Sequence, residues 1–194
     1  MRPVELFIRD LYKNKEWAHQ LLETCTQAGI KFIDEILKRK SLPIIVEPIG
    51  SASLVSPKHF KEFVAPYLKR MADHIHANGG GLPAVLHICG KTKANWAAMR
   101  EADFDIWSLD NVDMGEAKDA VGDRVALVGN LIPANLLKNT VEEVDAEAKI
   151  ICEKAMGSPR GFILGSGCEV PINTPPENVD ALINAARKYG RFDN

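Results

Sequence analysis

Short apolar runs alternate with helical patterns along the whole chain, and this alternation limits the folds open to it. Runs rich in β-branched and aromatic residues occur at "PIIVEP" (43–48), "AVLHIC" (84–89), "DIWSLDN" (105–111), "VALVGN" (125–130) and "GFILGSG" (161–167). Each is short and almost continuously apolar, as expected of strands buried on both faces. Between them lie stretches with helical spacing. Residues 14–39 place Trp17, Leu21, Cys25, Ala28, Phe32 and Ile36 on one face. Ser56-Pro57 reads as a cap followed by proline in the first turn. The helix it opens is expected to bury Phe60, Phe63, Val64, Tyr67, Leu68 and Met71, with Pro66 kinking or dividing it. Thr140 with Glu143 predicts a capping box ahead of Val144, Ala148 and Ile151. Thr174 with Glu177 predicts another, ahead of Val179, Leu182 and Ile183. Strands separated by helices in this way form parallel sheets covered by helices. With no linker or composition break, residues 1–194 read as one domain.

Two architectures fit this pattern, an open doubly wound sheet and a barrel. A (β/α)8 barrel needs eight strands and typically ~250 residues, so five strands in 194 residues make an incomplete one. No glycine-rich phosphate loop follows any strand, which weakens a nucleotide-binding open sheet. The strand C-termini favour the barrel. They carry Glu47, His87 with Cys89, Asp110 with Asn111, Asn130 and Cys168. Reactive side chains gathered at one rim characterise barrel enzymes.

His87 and Cys89 lie two residues apart, so a strand holding both presents them on one face. Zinc takes His and Cys ligands, and a catalytic site keeps one position open beside three protein ligands. Cys168, far along the chain at another strand end, supplies the third. Two ordinary readings stand beside this: a hydrogen-bonded structural histidine and cysteines packed as small hydrophobes. Cys25 and Cys152, inside helical patterns, are expected to be buried in that second way. Glu47 reads either as a reactive carboxylate or as a cap on the segment after Pro48, and Asp110 and Asn111 as turn residues. His59, His74 and His76 are expected on a solvated helix face.

The net charge of −2, with acidic and basic residues interspersed, gives no footprint for nucleic acid or an anionic membrane. No apolar run approaches the ~20 residues of a membrane span. The charged start has no signal-peptide core, so a cytoplasmic location is expected and thiols rather than disulfides with it.

The stretches "LVSPKHFKEFVAPYLKRM", "FDIWSLDN", "RVALVGNLIPANLL" and "GFILGSGCEVPINTPPENVDALINAARKYG" resemble the C-terminal part of the uroporphyrinogen decarboxylase superfamily. The resemblance runs from about residue 3 to residue 190 and implies the last five β/α units of a TIM barrel. That superfamily holds porphyrinogen decarboxylases and methylcobamide:coenzyme M methyltransferases. The methyltransferases carry zinc on a His-x-Cys pair and a distant Cys, matched here by His87, Cys89 and Cys168. The decarboxylases carry a Gly-His-Gly motif in their last strand, where this chain reads Gly165-Ser166-Gly167. The resemblance therefore implies a zinc-dependent enzyme moving a methyl group from a methylcobamide, free or on a corrinoid protein, to a small thiol. Glu47 would serve the thiol at zinc, and Asp110 and Asn130 would support the metal ligands or orient cofactor or substrate. A metal-free decarboxylase and a catalytically silent binding module are the alternatives. Five parallel strands without closure leave two edges, which predicts a homodimer or larger assembly.

Overall fold

The computed structural model describes residues 2–191. Among the described residues five strands are present, β1 (Ile44–Val46), β2 (Val85–Ile88), β3 (Ile106–Leu109), β4 (Ala126–Leu131) and β5 (Phe162–Ser166), each inside an expected run except that β4 runs one residue past its own. Sequential strands pair within each compact group, β1 with β2, and β4 between β3 and β5. The helices are α1 (Val4–Lys13), α2 (Lys15–Lys38), α3 (Pro57–His59), α4 (Ala65–Asn78), α5 (Trp96–Glu101), α6 (Met114–Val121), α7 (Pro133–Lys138), α8 (Val141–Ala155) and α9 (Pro176–Tyr189). No described helix is long and apolar enough to cross a membrane. Tertiary contacts group the chain into two compact units. One comprises residues 1–88 and 92–105, the other residues 89–91 and 106–194.

In the first unit β1 pairs with β2 in parallel, with Ile44 opposite Val85 and Val46 opposite His87. All four β2 residues are buried. Leu11, Ala18 and Phe63 form a core cluster, with Phe7, Ile8 and Leu22 packed on it. This corrects the expected face of α2. Trp17 and Phe32 are exposed, while Ala18, Thr26 and Ile33 are buried. The helix carries two apolar stripes, and close packing selects between them. A Cβ on Gly29 would lie 2.9 Å from Met71 Cε, so glycine admits the methionine side chain at that point of α2. Cys25 is exposed rather than packed.

The helix opened by Ser56 is divided, as Pro66 predicts. Ser56 Oγ accepts from His59 N at 3.3 Å. A π-helical turn, Phe60–Val64, then joins α3 to α4. Pro66 has no N–H for the Glu62 carbonyl, and the Ala65 amide reaches back five residues to the Phe60 carbonyl. His59 is buried and not solvated, with its Nδ1 2.8 Å from Ser56 Oγ and its ring against Tyr12. His74 and His76 pair with Asp34 and Asp105.

In the second unit β3, β4 and β5 form a parallel ladder, with Trp107 opposite Leu127 and Leu127 opposite Phe162. The Thr140–Glu143 capping box is formed, and α8 buries Val144, Ala148, Ile151 and Cys152. The box expected at Thr174 is not. The paired prolines shift the helix start, so Pro175 is the N-cap and Pro176 the first helical residue. Thr174 Oγ1 is buried without a hydrogen-bond partner. Ile183 is exposed. Asn178 takes over the local polar work, its amide donating to the Leu136 carbonyl at 2.9 Å and the Asn139 carbonyl at 2.8 Å.

Candidate metal centre

Cys89 directly follows β2, and Cys168 lies two residues beyond β5. Their sulfurs stand 3.5 Å apart in a hydrogen-bonded contact. His87 lies in β2 and precedes Cys89 by two residues along the chain. The two candidate cysteine ligands therefore converge, although 79 residues separate them in the chain. Two sulfurs at zinc–sulfur distances of about 2.3 Å in a tetrahedral site are about 3.8 Å apart. The observed sulfur pair is within a few tenths of an ångström of that separation, so the two cysteines fit a zinc ion.

Asp110 holds the ground on which both cysteines stand. Its Oδ2 accepts from the amide of Gly90, the residue after Cys89, at 2.7 Å. Its Oδ1 lies 2.9 Å from where a Cβ on Gly167, the residue before Cys168, would project. Glycine at 167 is thus required by close approach. Asn130, which is buried, donates from its side-chain amide to the Asp110 carbonyl at 2.8 Å and the Val112 carbonyl at 2.7 Å. Asn111 donates its backbone N–H to the Gly90 carbonyl at 3.2 Å. Asp110 and Asn130 therefore form a hydrogen-bonded frame around the cysteine-bearing turns.

Burial, then the hydrogen bond to Cys168 and its charge, then the Asp110 carboxylate, push the Cys89 thiol up to about 11. Without a cation nearby the thiol keeps its proton at neutral pH. A bound metal reverses that balance, because a coordinating thiol is deprotonated outright.

Glu47 does not join this group. Val46 is the cross-strand partner of His87, so the next residue, Glu47, projects to the other side. A Cβ on Gly50 would touch Glu47 Cγ, Phe60 and Ile88, which places the glutamate stem among those side chains. Its Oε1 accepts from Ile49 N at 3.0 Å and Gly50 N at 3.1 Å. The carboxylate caps the turn that follows its own strand. It also lines an apolar cavity of about 380 Å³ in the first unit, together with Leu22, Phe63, Tyr67 and Met71. Burial raises its pKa against the two amide hydrogen bonds. A second donor grouping, Asp73, His76 and Asp103, is exposed, and two of its members are engaged with Lys69 and Asp105.

Asp110 and Asn130 are expected from the sequence as supporting or orienting groups, but which turns Asp110 reaches, like the role of Asn178, depends on which loops meet. The one available signal was Gly90 and Gly167 flanking the two cysteines.

The family model of uroporphyrinogen decarboxylase (URO-D) matches residues 1–189. The chain belongs to the uroporphyrinogen decarboxylase family. Among curated relatives, methylcobamide:CoM methyltransferase MtaA of Methanosarcina barkeri is 30% identical over 190 residues, covering 96% of this chain and 53% of the relative. The uroporphyrinogen decarboxylase of Coxiella burnetii is also 30% identical, over 181 residues, covering 92% of this chain and 49% of the relative. A solved methyltransferase from Methanosarcina mazei superposes with a TM-score of 0.83 at 28% identity, covering 97% of this chain and 54% of that one. The chain thus spans about half the length of these family members. Its five β/α units correspond to part of the family's barrel. Both methyltransferases and decarboxylases stand among its relatives.

Proposed function

We propose that this chain carries the metal-binding part of a zinc-dependent methyltransferase, which moves a methyl group from a methylated corrinoid to a thiol. The paired sulfurs of Cys89 and Cys168, with His87 two residues before Cys89, carry this reading. The similarity to methylcobamide:CoM methyltransferases supports it. Those three residues would hold the zinc and leave one position for the substrate thiol. Bound zinc would supply the acidity that keeps a thiol as a nucleophilic thiolate at neutral pH, where a free thiol with pKa near ~8.5 is mostly protonated.

The chain's own contribution is placement. Asp110 ties down the turn after Cys89, and Asn130 ties down the backbone of Asp110 and Val112. Such supporting partners orient ligands and typically account for 10–100-fold in metal affinity or activity. Glu47 has a capping task and no part in this scheme.

Metal analysis of protein purified without added metal is the direct test. About one zinc per chain, lost in Cys168→Ala, is expected of a three-ligand site. Thiol-dependent demethylation of methylcobalamin is the companion assay, run on this chain alone and with the remaining barrel part supplied. A folded sample that refuses zinc overturns the proposal. It would favour a decarboxylase-like activity, for which the equal identity to the Coxiella burnetii enzyme is the supporting observation.

A further inference from the structure

We propose that Cys89 and Cys168 form a reversible oxidation site, in which a hydroperoxide joins the two sulfurs as a disulfide. No described cysteine is in a disulfide, and these two sulfurs are already 3.5 Å apart. A disulfide needs about 2.05 Å. The remaining gap of about 1.5 Å is within reach of side-chain rotation at two residues that lie just outside their strands. Both are partly exposed, so a small oxidant reaches them, whereas Cys152 is buried on α8. Cys25 lies on α2 in the first unit.

The chemistry balances with one hydroperoxide. One thiol attacks the peroxide, the O–O bond breaks, and a sulfenic acid and an alcohol form, or water when the oxidant is hydrogen peroxide. The second sulfur attacks the sulfenic sulfur, the S–S bond forms, and water leaves. Two thiols are oxidised by two electrons, and the peroxide is reduced by the same two. A dithiol reductant returns both thiols by exchange. Proximity favours this outcome, because a resolving thiol beside a sulfenic acid captures it before further oxidation.

The consequence falls on the same strand ends. A disulfide has no thiolate to offer a metal, so a single oxidation removes two of the three proposed ligands together. The site is then a switch that hydroperoxide turns off and thiol reductant turns on. Only this metal-release consequence rests on the proposed zinc site. The sulfur–sulfur bond rests on geometry alone.

The experiment uses the full chain, reduced, in metal-free and zinc-loaded samples treated with stoichiometric hydrogen peroxide. Titratable thiols are expected to fall from four to two. Peptide mapping should find one cross-link, Cys89 to Cys168, and dithiothreitol should restore all four thiols. Cys25→Ser should leave the cross-link intact, and Cys89→Ser should abolish it. Zinc should leave the loaded sample in step with bond formation. Sulfinic acid on either residue without a cross-link overturns the proposal, as does pairing through Cys25. Protein that forms the bond but never binds zinc keeps this site and removes the zinc proposal. Protein that binds zinc but never forms the bond does the reverse.

Discussion

Asp110 accepts a hydrogen bond from the Gly90 amide at 2.7 Å, and this contact ties the end of β3 to the turn that carries Cys89. The same carboxylate crowds Gly167 on the other side, next to Cys168. One side chain thus borders both cysteine-bearing turns without being a candidate ligand itself.

Asp110→Ala is expected to weaken zinc binding by about 10–100-fold, the usual loss when a ligand's supporting partner is removed. Asp110→Asn keeps an acceptor for the Gly90 amide and should lose less. Competition against a chromogenic chelator measures both. Equal affinity in wild type and Asp110→Ala would show that the frame does not aim the ligands.

Gly167→Ala and Gly165→Ala form a matched pair. At 167 a methyl would lie 2.9 Å from Asp110 Oδ1 and 3.2 Å from its Cα, so Asp110 must shift to admit it. At 165 it would meet only Val128 Cγ1 at 3.8 Å, an ordinary contact. Gly167→Ala should displace Asp110, lower the melting temperature and reduce zinc stoichiometry. Gly165→Ala should do neither. Thermal unfolding and metal analysis on the two variants decide this.

Asn178→Ala should destabilise the second unit without touching the metal centre. It leaves the buried Leu136 carbonyl and the part-buried Asn139 carbonyl without their amide donor. An unsatisfied buried polar group costs about 1–3 kcal/mol. A urea unfolding curve should show a lowered midpoint, with zinc stoichiometry unchanged in the folded baseline.

The Glu47 carboxyl has a raised pKa, caused first by burial. Its folded pKa lies above the unfolded value, so the folded state holds the proton more tightly. Below the unfolded value, near 4.5, both states are protonated and the group is neutral in the balance. As pH rises from there through the folded pKa, the carboxyl progressively opposes folding. Glu47→Gln keeps an oxygen for the Ile49 and Gly50 amides and cannot ionise. The variant should match wild type in acid and gain relative stability as pH rises to neutrality. Urea midpoints across that range test the sign, and a relative loss at pH 7 would contradict it.

Much was legible from local pattern. Five apolar runs bounded by turn residues became five strands, because a strand buried on both faces needs continuous apolar side chains whatever its neighbours. Ser56, Thr140 and Pro66 acted as expected because caps and proline breaks depend only on residues within one turn. His87 fell inside β2 and Cys89 at its end, as the apolar run around them required. Tertiary structure decided the rest. Trp17 and Phe32 lost the core face of α2 to Ala18 and Ile33, since both stripes were apolar and only the packing partners could choose. Thr174 missed its capping position because two prolines shifted the helix start. Glu47 turned to cap its own loop, a choice set by which amides lay within reach. The approach of Cys168 to Cys89 depended on strand ends far apart in sequence, and no local rule brings two such sulfurs to 3.5 Å.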